Sequence, residues 1–414
     1  MHPRGKIDIG WRDLLFALRA TFRHEPPGLI EQRIETCWGA DQTAVALSVR
    51  TGFDALLQAL HLPAGSEILV SAITIRDMTR IIEAHGLTAI PVDLDMETLS
   101  VDLDAMRNAI TSRTRALLIA HIFGSRMPLD RVIALAREHD LLVIEDNAQA
   151  FAARSDRGEA KADVSMFSFG PIKTNTALGG GILTIRDPAL LAATQAILQR
   201  YPRQSSATFR KRVLKYIGIK ALSSRRAFGL FAAACRKSGR NHDQVISHAL
   251  RGFPGPDLLA KIRRRPSAPL LALLERRITT FDDRAIAARS TSARSLLAAL
   301  GNVPYPGRKA TIHTHWVVPI CPAEPERLMA RLWGAGFDAT RGASSLAVVD
   351  PPASRPDCEP VQARRAMRDL LYLPDVSAMS EADRKRLAAV VETAPPLLAG
   401  DGLMQPERPI TAAP

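Results

Sequence analysis

Seven short apolar runs alternate with helical patterns between residues 40 and 190, and this alternation constrains the fold more than any other feature of the chain. The runs cover residues 44–49, 67–72, 88–92, 116–122, 141–144, 164–169 and 181–185. Helical patterns lie between most of them, at 54–60, 76–84, 103–110 and 129–138. A strand that is apolar on both faces must be covered on both faces, and helical crossovers join parallel neighbours. The sequence therefore predicts an α/β fold: a roughly seven-stranded, mainly parallel sheet with helices on both sides.

The second half reads differently. A helical stretch rich in Ala, Leu and Arg runs from about 269 to 300, after the loop-like RGFPGPD at 251–257. Beyond it come the strand-like HWVVPI (315–320), a helical ERLMARLWGAG and a helical SEADRKRLAAVVE (380–392). Ser380 and Asp383 are spaced as a capping pair. This pattern predicts a smaller C-terminal α+β domain. The expected division is an N-terminal arm (1–25), a large domain (26–285), a small domain (286–398) and a disordered Pro/Gly-rich tail (399–414). Such a two-part plan suits 414 residues.

Composition excludes several classes. No apolar run reaches the roughly 18 residues of a spanning helix. The first residues lack the long apolar stretch of a signal peptide. Cys37, Cys235, Cys321 and Cys358 are far apart and form no CxxC pair, so no zinc site or disulfide framework is expected. The expected setting is the cytoplasm.

Three positions carry candidate chemistry. Asp146 follows the apolar LLVIE, at the carboxyl end of a predicted strand. Ser168 and Lys173 follow another in VSMFSFGPIKT, ahead of TNTALGGGI. TGFDAL (51–56) ends a strand and opens a helix. Singly, each has an ordinary reading: a helix cap, a surface lysine, a glycine turn, a helix start. Together they match the needs of pyridoxal 5'-phosphate (PLP). That cofactor requires a lysine amine, a carboxylate facing its ring nitrogen, and hydroxyls or amides for its phosphate. In open α/β sheets such groups gather at strand carboxyl ends.

The set in order resembles the DegT/StrS family of PLP-dependent sugar aminotransferases, with the aspartate aminotransferase-type fold. The segments SVRTGFDALLQAL, LLVIEDNAQAFAA, VSMFSFGPIKT and LGGGILTIRD carry the likeness, and LYLPDVSAMSEADRKRLAAVVE extends it. The resemblance implies Lys173 as the Schiff-base lysine and Asp146 as partner of the ring nitrogen. It implies Gln149 beside the ring hydroxyl, Ser168 on the phosphate, and the amides of Gly52 and Phe53 around that phosphate. His121 matches a family histidine that is equally readable as structural. The sequence also departs from the family. Phe53 replaces a threonine and removes a hydroxyl. Ile75 stands where an aromatic ring usually stacks on the cofactor. Arg263, Arg264 and Arg265 replace an Asn-Tyr-Arg stretch that reaches the neighbouring subunit's cofactor phosphate, with Arg263 and Arg265 the candidates for that contact.

The implied activity is ping-pong transfer of an amino group from an amino acid, glutamate by analogy, to a keto-sugar or related ketone, nucleotide- or lipid-linked. The implied assembly is a homodimer. Two alternatives stay open: a sugar dehydratase, although family members of that kind typically carry His at the Schiff-base position, and a catalytically idle regulatory protein.

Charge raises a separate question. The chain carries a net +13, and residues 200–240 hold twelve Lys or Arg and no Asp or Glu. Phe209, Val213, Tyr216, Ile217 and Lys220 recur at helical spacing there. The apolar face either packs on the protein itself or meets an anionic membrane from the inner side, or else the charges bind a polyanionic substrate directly. No zinc spacing or nucleic-acid-binding motif accompanies the charge, so no nucleic acid is expected.

Overall fold

The computed structural model describes residues 1–5, 7–243, 245–246, 257–342 and 345–392. All seven apolar runs form one sheet. Its strands are β1 (Thr43–Ala46), β2 (Glu67–Ser71), β3 (Thr88–Val92), β4 (Thr114–Ala120), β5 (Leu142–Asp146), β6 (Val164–Ser168) and β7 (Gly181–Ile185), in the spatial order β1-β7-β6-β5-β4-β2-β3. Pairing is parallel from β6 across to β3. Only β7 runs against its neighbours, antiparallel to both β1 and β6.

The continuous apolar runs are explained by covering on both faces. Leu69, Leu117, Ile119 and Val143 point into one apolar cluster. Their neighbours Ile68, Val70, Leu118 and Ile144 point into the other, as the two-residue period of a strand requires. The helices that supply these layers include α3 (Val49–Leu60), α4 (Arg76–Ala84), α5 (Leu103–Ala109), α6 (Asp130–Glu138) and α7 (Pro188–Arg200).

A third cluster forms where α1 (Trp11–Ala20), α2 (Pro27–Trp38), α8 (Ser206–Leu222) and α10 (Ala268–Thr280) meet. Residues 1–25 do not project as an arm. Ile7, Ile9, Leu14 and Ala17 are buried in that cluster, and the amide of His2 donates to the Gly336 carbonyl. The basic segment folds as α8 and α9 (Arg225–Lys237). Phe209, Val213 and Tyr216 pack inward against α10, so the packing alternative holds for that face.

The expected helix over 269–300 is two helices. α10 ends at Thr280 and α11 (Arg284–Ala299) begins after a break at Phe281. Phe281 is extended and buried in the third cluster, which turns the chain. α11 then joins α12 (Pro325–Gly334), the strand pair Val318–Ile320 with Leu371–Leu373, and α13 (Glu381–Glu392) around a fourth cluster. The Ser380 hydroxyl accepts from the Asp383 amide at 3.1 Å at the start of α13. This C-terminal part is stitched to the main sheet's surroundings at two places: Leu346–Val348 pairs with Ile73–Ile75, and Ile312–His313 pairs with Ser125–Arg126. The predicted tail, and RGFPGP at 251–256, lie outside the described residues.

Candidate active site

Asp146 and Ser168 end adjacent parallel strands, and the loop after Ser168 returns Lys173 to the same sheet edge. The turn is fixed locally. The Gly170 amide donates to Ser168 Oγ (3.4 Å), and the Lys173 amide donates to the Gly170 carbonyl (3.0 Å). A side chain on Gly170 would come within 3.5 Å of Ser168 Oγ and 3.8 Å of Lys173 Cγ.

Burial sets the charge states. The Lys173 amine is dehydrated, which lowers its pKa to about 8, while Asp146 opposes the shift and Arg50 adds to it. Asp146 is pushed up by burial, against the pull of the Ala148 amide and of the Lys173 charge. One carboxylate oxygen accepts from that amide at 2.8 Å. The two groups thus hold each other's charge in a place that favours neither alone.

Gln149 is tied to the backbone that follows β4. Its Oε1 accepts from the Phe123 amide at 3.0 Å, which leaves the amide NH2 as the end able to donate to a ligand. His121 is structural. Its Nε2 lies 2.9 Å from Glu145 Oε1, and its Nδ1 accepts from the Met127 amide at 3.3 Å. Burial pushes Glu145 up, but His121 and the Glu159 amide outweigh that and hold it ionised.

The phosphate cradle differs from expectation. α3 starts at Val49, three residues before Gly52, because Ser48 caps it by accepting from the Thr51 amide. The Gly52 amide is already engaged with the Ser48 carbonyl, and Phe53 is fully buried in the core. Gly52 is small for another reason: a Cβ there would stand 2.2 Å from Leu183 Cδ1. The amides without a helical acceptor are those of Val49 and Arg50. They lie beside Ser168, since Gly181 pairs with Ser168 and its Cα approaches Ser48 and Val49 so closely that a Cβ would stand 2.5 Å from each.

Five further positions are placed by the structure. Arg263 is engaged within its own chain, with Nη2 2.9 Å from the buried Asp54, and Arg265 pairs with Glu31 at 2.9 Å. Ile75 is half-buried at the start of α4 and pairs with Leu346. Gly179 and Gly180 admit Arg212 of α8 and Leu270 and Leu274 of α10.

Two residues escaped the sequence reading. The Trp316 ring centroid lies 4.7 Å from Lys173 Nζ, and its indole N–H donates to the Ile172 carbonyl at 3.1 Å. Arg50, in the first turn of α3, acts electrostatically on both Lys173 and Asp146. Asn147, next to Asp146, buries an amide whose nitrogen and oxygen meet no partner among the described residues. No cluster of metal-ligating side chains occurs among the described residues.

Residues 29–222 match the DegT/DnrJ/EryC1/StrS aminotransferase family. Over 152 residues the chain is 33% identical to a GDP-perosamine synthase of Caulobacter vibrioides, a match covering 36% of this chain and 41% of that protein. The chain thus spans less than half the length of that relative. Among solved structures, the sugar aminotransferase CalS13 of Micromonospora echinospora superposes with a TM-score of 0.65 at 19% identity, over 95% of this chain and all of that one. An E. coli GDP-4-keto-6-deoxy-D-mannose-3-dehydratase with bound hydrated PLP gives 0.66 at 16%, over 94% of this chain and 99% of that one. The fold is that of these structures, and the family likeness covers residues 29–222, just under half of the chain.

Proposed function

We propose that the protein is a PLP-dependent aminotransferase that moves an amino group from an amino acid, glutamate by family analogy, to a keto-sugar or related ketone. The observation that carries this reading is Lys173: a dehydrated amine with pKa about 8, facing the buried Asp146 and lying against an indole ring. The donor set fits the cofactor. Lys173 would hold it covalently, Asp146 would face its ring nitrogen, Gln149 would donate to its ring hydroxyl, and Ser168 with the α3 amides would take its phosphate. When bound, PLP supplies an electron sink for the carbanion that forms as an amino acid loses its α-proton.

The chain's own residues do the rest. A lysine with pKa near 8 exchanges protons readily at neutral pH, so Lys173, once displaced by the donor amine, can take the α-proton and return it elsewhere. Asp146 would place a negative charge facing the ring nitrogen and so favour its protonated form. Trp316 covers the amine and excludes water from it. A dehydratase shares the fold, but a lysine rather than histidine at position 173 favours transamination.

The reading extends to a homodimer, by family resemblance, with two domains per chain (26–285 and 286–398), supported by the separate fourth cluster. It also includes a peripheral contact with anionic lipid at the inner membrane surface. Here the exposed Leu214, Leu222 and Leu230 of α8 and α9, with the exposed Trp11, Leu15 and Phe22 in and just after α1, would supply the apolar contact. No helix among the described residues is long and apolar enough to cross a membrane.

The test is chemical. Protein supplied with PLP is reduced with borohydride, digested and sequenced by mass spectrometry. A pyridoxyl group on Lys173 is expected; its absence, or its placement on another lysine, would contradict the proposal.

A further inference from the structure

We infer that the N-terminal segment is a strap that fixes the loop carrying Lys173 against the C-terminal part of the chain, with Asp8 as a positioning residue for Lys173. The inference rests on the reading of Lys173 as the reactive amine and deepens it by naming what holds that amine in place.

The loop is closed at its base, where the Ala177 amide donates to the Phe169 carbonyl at 3.0 Å. Past Lys173 it is tied by groups from elsewhere in the chain. Asn175 turns the backbone with a left-handed φ of 57°. That conformation costs energy in a residue other than glycine and persists where the surroundings enforce it. Here the Asn175 amide donates to Asp8 Oδ2 at 2.8 Å. Arg277 of α10 completes the clamp. Its Nε donates to the Thr176 carbonyl at 3.1 Å, and its Nη2 donates to the Asp8 carbonyl at 2.7 Å. Asp13 of α1 fixes the same guanidinium by accepting from Nη1 at 2.9 Å. The segment around Asp8 thus braces the loop two residues beyond Lys173.

The other end of the segment lies on the C-terminal part. His2 bridges in parallel to Phe337, a member of the fourth cluster. Its amide donates to the Gly336 carbonyl at 2.8 Å, and its carbonyl accepts from the Asp338 amide at 2.9 Å. Arg4 donates to the fully buried Asp338 through Nε at 2.8 Å and Nη2 at 2.9 Å. The Arg4 carbonyl accepts from the Asp375 amide at 3.1 Å. Beyond Arg4, Ile7 and Ile9 are buried in the third cluster on either side of Asp8. Four residues of chain reach at most about 14 Å, so little slack separates Arg4 from Asp8. A shift of the C-terminal part therefore pulls on Asp8, and through the Asn175 amide on the loop.

The test reads Lys173 without any cofactor. Cofactor-free wild type, Asp8→Ala, Asp8→Asn and Arg4→Gln are labelled with trace acetic anhydride between pH 6 and 11, and acetylation of Lys173 is counted by mass spectrometry. Wild type should give a midpoint near 8, where burial places the amine. Asp8→Ala should raise it by about one pH unit toward the ordinary lysine value, because a loosened loop lets water reach the amine. The sign is diagnostic, since removal of a negative charge alone would lower an amine's pKa. Asp8→Asn keeps an acceptor for the Asn175 amide and should restore the wild-type midpoint. Arg4→Gln, which frees the far end, should raise the midpoint as Asp8→Ala does. Circular dichroism checks that each variant folds, and Arg4→Gln decides if Asp8→Ala does not. An unchanged midpoint in Asp8→Ala or in Arg4→Gln would overturn the inference, as would equal shifts in Asp8→Ala and Asp8→Asn. The labelling needs no PLP, so a wild type that fails to bind PLP would contradict the proposed function and leave this inference standing.

Discussion

The amine of Lys173 lies 4.7 Å from the centre of the Trp316 ring, so a residue more than a hundred positions beyond the main sheet forms one wall of a site built on that sheet. The same indole donates to the Ile172 carbonyl and so anchors the loop that carries the lysine. Trp316→Ala should weaken PLP binding by about tenfold, since both an aromatic cover and a backbone hydrogen bond are lost. Trp316→Phe, which keeps a ring, should lose less. Equal affinities in a PLP titration of all three proteins would show that the indole is no part of the site.

The second prediction concerns pH. With a pKa lowered to about 8, the Lys173 amine is protonated below that pH and neutral above it. Capture of PLP needs the neutral amine, so the capture rate of cofactor-free protein should rise with pH through a midpoint near 8. Asp146 raises the lysine's pKa, so Asp146→Asn should move the midpoint down. In the loaded protein the same variant should still bind PLP but slow proton transfer by orders of magnitude, each tenfold corresponding to about 1.36 kcal/mol. Stopped-flow rates between pH 6 and 10 read both effects. A midpoint near the ordinary lysine value would refute the burial argument.

Asp54 supports a third prediction. Burial alone would raise its pKa, yet His85, Arg263 and Tyr201 bring it down to about 2. A depressed carboxylate contributes stability above its unfolded pKa near 4, and that stability is lost as pH falls toward 2. Asp54→Ala should destabilise the protein by about 3 kcal/mol, because it removes the partner of a buried charged network. Arg263→Ala should lower the melting temperature while leaving PLP affinity intact. A selective loss of PLP affinity in Arg263→Ala would restore the cofactor role that sequence suggested.

The basic helices give a fourth. Arg212 is largely enclosed and donates to the Leu178 carbonyl at 3.2 Å, so it belongs to the framework. Arg210 stacks on Phe22, with its guanidinium 5.1 Å from that ring, and Lys211 is exposed. Charge reversal at Arg210, Lys211 and Lys215 should release the protein from anionic vesicles, with wild-type binding weakening as salt rises. Identical sedimentation of wild type and variant with those vesicles would remove the membrane contact from the account.

The sheet was legible because strands covered on both faces are apolar throughout, and every run from β1 to β7 met that condition. Asp146, Ser168 and Lys173 were legible for a related reason: chemistry at a strand's carboxyl end follows a recognisable apolar run. The start of α3 was not. TGFDAL drew attention to Gly52, while the cap that sets the helix is Ser48, an ordinary serine in a run of small residues. Trp316 read only as part of the strand-like HWVVPI, because nothing near it in the sequence indicates that the fold brings it to Lys173. The role of Arg263 was hidden in the same way, since Asp54 reads as one more helix residue until tertiary packing buries it.

The central claim, that Lys173 makes this protein a transaminase, is tested most directly in a single half-reaction. PLP-loaded wild type and Lys173→Ala are each mixed with glutamate, with the cofactor's visible absorbance followed by stopped flow and the 2-oxoacid counted. Wild type should lose the absorbance of the loaded state and release about one 2-oxoacid per site, leaving pyridoxamine phosphate, while the alanine variant does neither. Turnover by Lys173→Ala at the wild-type rate, or a PLP-loaded wild type that changes with none of the natural amino acids, would contradict the account.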